Sequence, residues 1–344
     1  MLTNFEIGRL IVEHEQQGAA KAEYGEYVLR GLAAKLTVEF GRGFSKSSLE
    51  YMRRFFLTYQ DRHAAIAQTV SGQLPPIAQT PSAQSPLAKK SQTASDPLTP
   101  ISATPLRKFT LSWSHYVLLL GIHNPEERSF YEIEAAQENW SLSQLKRQVA
   151  SCLYERLALS RDKKRVRKLA EEGHAVTEPA DILKSPLVLE FLGLDEKPAY
   201  SENDLESALI DKLQHFLLEL GKGFLFEARR KRFTFDVDDT FVDLVFYNRL
   251  LLCYVLFDLK LDKLSHQDLG QMQMYVNYYD REVKTPDENP TIGVLLCKRK
   301  KDALIELTLP KNANIYASQY QLYLPSKEEL RRRLLEWTAE EEGR

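Results

Sequence analysis

Apolar residues near the start of the chain recur at helical spacing. Leu29, Leu32, Ala33 and Leu36 share one side of a segment running from Tyr24 to Phe40, and Leu49, Met52, Phe56 and Tyr59 do the same in the next segment. Gly41-Arg42-Gly43 breaks the pattern between them, and Ser45 stands where an N-cap belongs. Two helices joined by a glycine turn are predicted. Further on, Leu118, Leu119 and Ile122 cluster, and Trp140-Ser141-Leu142-Ser143-Gln144 opens another helix with a Ser-x-x-Gln capping box. That helix buries Leu142, Leu145, Val149, Leu153 and Leu157.

From Pro179 onward the pattern becomes mixed. Helices open at Ser201 and Ser265, each as Ser-x-x-Asp (Asp204, Asp268), and Leu264 and Leu269 are spaced as a hydrophobic staple. Strands are expected at about 224–234, 239–247 and 251–260, then at Thr291 to Cys297 and near Tyr316 to Leu324. The order α-β-β-β-α-β-β predicts an α+β or α/β architecture, a mixed sheet flanked by helices.

Composition divides the chain. Of its 15 prolines, seven (Pro75, Pro76, Pro81, Pro86, Pro97, Pro100 and Pro105) fall in an Ala-, Gln-, Ser- and Thr-rich stretch at 63–108 that cannot build a core and reads as a disordered linker. This gives a helical module at 1–62, a helical middle at 109–178, a mixed domain at 179–335 and a charged tail at 336–344. With 43% hydrophobic and 27% charged residues, the composition is that of a soluble globular protein. A net charge of −2 means that any surface for a polyanion must be local. No basic start leads into a long apolar run, and the apolar stretch at Val117 to Ile122 is too short to span a bilayer, so a cytoplasmic location without membrane contact is expected. Cys152, Cys253 and Cys297 lack metal-ligand spacing and read as reduced core residues.

In the first module, the second helix would present Lys46, Ser47, Ser48, Tyr51, Arg53 and Arg54 outward, a set suited to phosphates and base edges if the pair is a helix-turn-helix. An αα-hairpin used for dimerisation is the alternative, with merely solvated charges. The run Arg161-Asp162-Lys163-Lys164-Arg165-Val166-Arg167-Lys168 is either a solvated helix face or a nucleic-acid contact.

The densest chemistry lies in two apolar strands. Leu251 to Phe257 is uninterruptedly apolar, as in a strand buried on both faces, yet it ends in Asp258-Leu259-Lys260. Side chains alternate along a strand, so Asp258 and Lys260 project from one face. Asp243 sits in the middle of the preceding strand. Two carboxylates there can chelate Mg²⁺ or Mn²⁺, and Lys260 can supply positive charge where a phosphodiester develops negative charge. A half-buried Asp258–Lys260 pair closing a strand end is the plainer reading. Glu206, with Ile210, Leu213 and Leu217 at i+4, i+7 and i+11, faces the apolar side of its helix and fits an outer metal or water ligand, or a first-turn residue serving the helix dipole. Gln271 and Tyr275, one turn apart, are both candidates to face the same site.

Glu206, Asp243, Asp258-x-Lys260 and Gln271-x-x-x-Tyr275, in the order helix, strand, strand, helix, resemble the PD-(D/E)XK nuclease superfamily. The run from Val255 to Glu282 resembles the YhcG-like nuclease family within it. The likeness extends through Trp113-Ser114-His115, Glu127-Arg128-Ser129-Phe130-Tyr131 and Leu153-Tyr154-Glu155-Arg156-Leu157, and includes Ile7-Gly8-Arg9, Tyr24-Gly25 and Phe40-Gly41-Arg42-Gly43-Phe44-Ser45. The resemblance implies a bacterial protein with a winged-helix-like N-terminal domain and a restriction-endonuclease-like core. The expected function is a Mg²⁺-dependent (or Mn²⁺-dependent) endonuclease acting on DNA through a tethered DNA-binding module. RNA or branched DNA remain open as substrates, as does a homo-oligomer. The alternative is a non-catalytic binding or assembly subunit that keeps the nuclease fold as scaffold.

Overall fold

The computed structural model describes residues 1–17, 22–62, 109–159, 163–184, 186–194, 200–235, 238–299, 307–310, 313–332 and 334. The expected linker at 63–108, Arg161 and Asp162 of the basic run, and the tail at 336–344 lie outside the described residues. Contacts divide the chain into two compact units, Met1–Gly121 and Ile122–Arg344.

The first unit holds helices α1 (Leu2–Gln17), α2 (Ala22–Phe40), α3 (Lys46–Tyr59) and α4 (Trp113–Leu119). Ser45 caps α3, its side chain accepting from the Ser48 N–H at 3.2 Å. The buried face of α3 is Leu49, Met52, Phe55 and Tyr59, so Phe55 rather than Phe56 points fully inward. The ring of Phe55 packs against Phe5, Phe109, Trp113 and Tyr116. Helix α1 lies directly on α3: a Cβ at Gly8 would come within 2.1 Å of the Met52 carbonyl oxygen, so only glycine permits this crossing. Among the described residues of this unit there is no strand.

The second unit begins with helices α5 (Pro125–Gln137), α6 (Leu142–Ala150), α7 (Leu153–Leu159) and α8 (Lys163–Glu172). The Ser141–Gln144, Ser201–Asp204 and Ser265–Asp268 capping boxes all form. A six-stranded sheet has the order β1-β6-β5-β4-β3-β2, comprising β1 (Leu187–Val188), β2 (Phe224–Phe235), β3 (Asp238–Asn248), β4 (Cys253–Lys263), β5 (Ile292–Arg299) and β6 (Ile315–Gln321). Strands β2, β3 and β4 pair antiparallel, and β4, β5, β6 and β1 pair parallel.

Both faces of the sheet are covered. On one, Val255, Phe257 and Leu259 pack with Leu205, Leu209 and Phe216 of the helices that precede the sheet. On the other, Leu256 and Leu295 pack with Leu264 and with Leu269, Met272 and Val276 of α11 (His266–Tyr278). This two-sided burial is why β4 reads as an unbroken apolar run instead of an alternating one. Helix α11 lies hard against β5, where a Cβ on Gly293 would meet Met272 Sδ at 2.7 Å and Val276 Cγ2 at 2.9 Å.

The helix expected to run continuously from Ser201 past Leu217 is two helices, α9 (Glu202–Asp211) and α10 (Leu213–Leu220), broken at Lys212 with φ −112° and ψ 27°. The break re-aims the second segment so that Phe216, Glu219 and Leu220 turn inward. Glu219 is fully buried and meets three cations. Arg156 Nη1 lies 2.6 Å and Arg147 Nη1 3.0 Å from its carboxylate, while Lys184 Nζ donates to its backbone carbonyl. Cys152, Cys253 and Cys297 are free and buried. Among the described residues, no helix is long and apolar enough to cross a membrane.

Candidate active site

The last cross-strand partners of the β3–β4 ladder are Leu244 and Phe257. One step beyond them, Asp243 and Asp258 come together instead of continuing the ladder. The Leu259 N–H donates to Asp243 Oδ2 at 2.8 Å, so a side chain takes the place of a strand carbonyl and fixes the carboxylate. Asp258 is buried, and Lys260 Nζ lies 2.9 Å from its Oδ2. This contact is a charge pair without an aligned hydrogen bond, which leaves Asp258 Oδ2 a buried acceptor with no donor. Lys260 is also 3.7 Å from Asp268 Oδ1, in the first turn of α11.

Electrostatics follow from this crowding. Burial raises the Asp243 carboxyl, and the neighbouring charge of Asp258 raises it further against the opposing Leu259 N–H. Burial also raises Asp258, opposed by Lys260. Two buried carboxyls this close titrate as a linked pair, the charge on one disfavouring a charge on the other. Burial alone would lower Lys260, but the charges of Asp258, Glu202 and Asp268 prevail and hold its ammonium above the ordinary lysine range.

The remaining candidates fall into place unequally. The Tyr275 hydroxyl donates to the Phe241 carbonyl at 2.7 Å, lies 3.0 Å from Thr240 Oγ1 and accepts from Gln271 Nε2. Burial raises this phenol, and the charges of Asp258 and Asp243 add to the effect, which places Tyr275 within electrostatic reach of the pair. Gln271 and Tyr275 therefore act on the start of β3, two residues from Asp243. Glu206 is buried as expected, but it is drawn to β2, where Arg229 Nε lies 2.5 Å from its Oε1. Glu202, one turn earlier and not singled out from the sequence, accepts from the Leu261 N–H at 3.3 Å, and its charge acts on both Asp258 and Lys260. An acid four residues before Glu206, on the same side of the helix, was the signal available in the sequence.

A divalent cation can be tested against these atoms. Two hard carboxylates, one with an orphaned buried oxygen, suit Mg²⁺ or Mn²⁺ chemically. Among the described residues, no group of three or more His, Cys, Asp or Glu is arranged to hold a metal. The pair would thus supply a minimal protein share and leave positions for water and phosphate oxygens.

The chain matches the family model described as the YhcG PDDEXK nuclease domain over residues 180–335, and the DUF1016 N-terminal domain over residues 1–81 and 86–156. It is 42% identical over 335 residues to the Escherichia coli (strain K12) protein named "Putative nuclease YhcG", covering 94% of this chain and 84% of that one. The chain belongs to the YhcG nuclease family. Its sheet, with the Asp pair on β3 and β4, is the PD-(D/E)XK domain of that family. A crystal structure of a repair endonuclease from Pyrococcus abyssi is also similar at 18% identity and a TM-score of 0.26; the match covers 38% of this chain and half of that one, too slight a likeness to carry argument.

In the first unit, Ser47 and Tyr51 are exposed on α3. Lys46 lies 3.7 Å from Glu50, and Ser48 Oγ is 3.0 Å from Ser45 Oγ within the cap. Arg53 is half-buried. Arg54 is exposed, with its Nη2 donating to the Leu120 carbonyl at 2.8 Å. Of the basic run on α8, Arg167 and Lys168 are exposed while Leu169 is buried.

Proposed function

We propose that this member of the family is a divalent-cation-dependent endonuclease that hydrolyses phosphodiester bonds in DNA. The observation that carries the reading is the convergence of Asp243 and Asp258 beside Lys260, with one buried carboxylate oxygen left for a ligand. Mg²⁺ or Mn²⁺ bound there would polarise the phosphoryl group and make a bound water more acidic. Asp243, fixed by the Leu259 N–H, and Asp258 would hold that ion. Lys260 stays cationic across the physiological range, so its role is to stabilise charge developing on the phosphate, not to take a proton. Glu202 is placed to tune Lys260, while Gln271 and Tyr275 keep β3 in position.

The helical first module would bind DNA through the exposed face of α3, with Ser47, Tyr51 and Arg53 as the contacting set and Lys46 and Ser48 at its edge. Arg54, exposed on the same helix, would join that set while one of its N–H groups holds the Leu120 carbonyl. The cytoplasm, where three buried thiols stay reduced, is the proposed place of action.

The test is incubation of the purified chain with labelled duplex DNA, single-stranded DNA, branched DNA and RNA, each with Mg²⁺, Mn²⁺ or EDTA. Cleavage of DNA is expected only with metal, and it should be lost in Asp258→Ala and Lys260→Ala while both variants still bind and melt cooperatively. Cleavage that survives in both folded variants would move the activity to another site. Binding without cleavage in every arm would favour an assembly subunit.

A further inference from the structure

Four consecutive basic residues, Arg229-Arg230-Lys231-Arg232, lie on β2, the edge strand of the sheet, and all four are exposed. Three of them face acids: Arg229 lies 2.5 Å from Glu206, Lys231 3.7 Å from Glu227 and Arg232 2.9 Å from Asp239. Arg230 is different. Its guanidinium lies over the Phe241 ring, 5.7 Å from the centroid, and Nη1 donates to the neutral Asn203 Oδ1 at 3.2 Å. Its charge is therefore oriented without being neutralised by these partners.

Position and backbone single out the same residue. Strand pairing sets Arg229 opposite Leu244 and Lys231 opposite Val242, so Arg230 comes level with Asp243. Asn203, which it grips, directly follows Glu202, whose carboxylate accepts from the Leu261 N–H on β4, one residue beyond Lys260. The φ of Arg230 is +47°, a left-handed conformation that a side chain with a Cβ adopts at a cost. A strand that needed only this bend would be served by glycine.

We infer that Arg230 is a phosphate-binding residue that holds the nucleic-acid backbone beside the Asp243–Asp258 pair. The inference rests on the nuclease reading of that pair. A guanidinium presents a planar fork of N–H donors that matches two phosphate oxygens, and stacking on an aromatic ring fixes the plane of the fork. In a chain of net charge −2, a polyanion depends on such local positive groups. The competing account is that edge-strand charges only keep the strand from pairing with another chain.

The experiment measures binding of fluorescein-labelled duplex DNA and of RNA to the full chain by anisotropy, with Ca²⁺ replacing Mg²⁺, across a salt series. Arg230→Ala should weaken both roughly tenfold and flatten the slope of log affinity against log salt by about one. Arg230→Lys should recover the slope without the full affinity, because an ammonium cannot bridge two oxygens as a fork does. Lys146→Ala, on an exposed helix position elsewhere, should change nothing. Arg230→Gly should melt no lower than wild type, since it relieves the backbone, yet bind as weakly as Arg230→Ala.

In Mg²⁺, Arg230→Ala should raise KM with little change in kcat. Unchanged affinity and slope in Arg230→Ala, or self-association without loss of binding, overturns the inference. If wild type cuts DNA and Arg230→Ala binds and cuts equally well, the phosphate site falls and the nuclease reading stands. If wild type cuts nothing but Arg230→Ala still loses affinity, the nuclease reading falls and the phosphate site stands.

Discussion

The guanidinium of Arg156 and the carboxylate of Glu219 meet at 2.6 Å, and neither side chain touches solvent. The pair joins α7 to α10, and so ties the helices that precede residue 178 into the body of the sheet domain. Arg156 also donates from Nε to the Ser151 carbonyl at 2.8 Å and from Nη1 to the Pro186 carbonyl at 2.9 Å. Glu219 Oε1 in turn accepts from the Val188 N–H at 2.9 Å, fixing the two-residue strand β1.

Removing Arg156 takes away the nearest of the charges that offset the buried Glu219 carboxylate and strips the Ser151 and Pro186 carbonyls of a donor. Arg156→Met should lower stability by about 3–5 kcal/mol in urea unfolding. Arg156→Met combined with Glu219→Leu should not recover it, because Arg147 and Lys184 then lose their acid. A loss under about 1 kcal/mol in the single variant, or full recovery in the double, would mean that the cluster is not the tie it looks like.

Acid should undo the same cluster. Burial alone would raise the Glu219 carboxyl, but Arg156, Lys184 and Arg147 together bring it down to about 2. A carboxyl depressed on folding contributes stability that is complete above its ordinary range, near 4.5, and is lost as pH falls toward 2. Melting temperature followed through that window should drop more steeply for wild type than for Glu219→Gln, which starts lower. Parallel pH profiles for the two would assign the acid transition to other carboxyls.

Glu202 and Glu206 lie one turn apart and should behave differently. Glu206→Gln weakens the tie to Arg229 on β2 and should appear mainly as lower stability. Glu202→Gln leaves the core alone but weakens the acceptor of the Leu261 N–H, next to Lys260 on β4, so it should reduce cleavage a few-fold with melting unchanged. Kinetics and melting of the two variants side by side decide the matter, and the reverse pattern would return Glu206 to the site.

The Asp243–Asp258 pair should trade a proton for a cation. Both carboxyls are raised in the metal-free fold, so the pair destabilises the fold increasingly as pH rises through its raised range, and Mg²⁺ or Mn²⁺ should offset this. Calorimetric titration with Mn²⁺ near pH 6, in two buffers of different ionisation enthalpy, should register up to about one proton released per ion bound. Asp243→Asn should remove the buffer dependence. Tight binding with no proton release in wild type would rule out a proton held by the pair.

What the sequence made legible was mostly local. The three capping boxes at Ser141, Ser201 and Ser265 form because their partners lie three residues away, and β4 announced its two-sided burial by an unbroken apolar run. Tertiary decisions were hidden. Nothing near Lys212 marks the break that separates Leu213 and Leu217 from the helix of Glu206, so periodicity was carried across a boundary. Glu206 was correctly expected to be buried, but Arg229, which draws it to β2, lies 23 residues away on another element. Adjacent Phe55 and Phe56 fit the helical pattern almost equally and both meet Phe5, and packing against Phe109, Trp113 and Tyr116 buries the first. Arg156 and Glu219 are 63 positions apart, a separation at which a charge pair leaves no pattern. The run Arg229–Arg232 was visible within an expected strand, but only the register opposite β3 sets it beside Asp243.

At Gly293 the absent side chain lets α11 rest on β5 with Met272 and Val276 filling the space. Tyr275 and Gln271 ride on that same helix, and through the Phe241 carbonyl they hold the strand that carries Asp243. The gap between helix and sheet therefore works as a spacer whose thickness is one hydrogen atom. Any larger residue at 293 would wedge the helix outward and slacken its hold on the carboxylate without touching a single group of the site. Natural variation that silences this nuclease while leaving every acid and lysine intact has an address on β5.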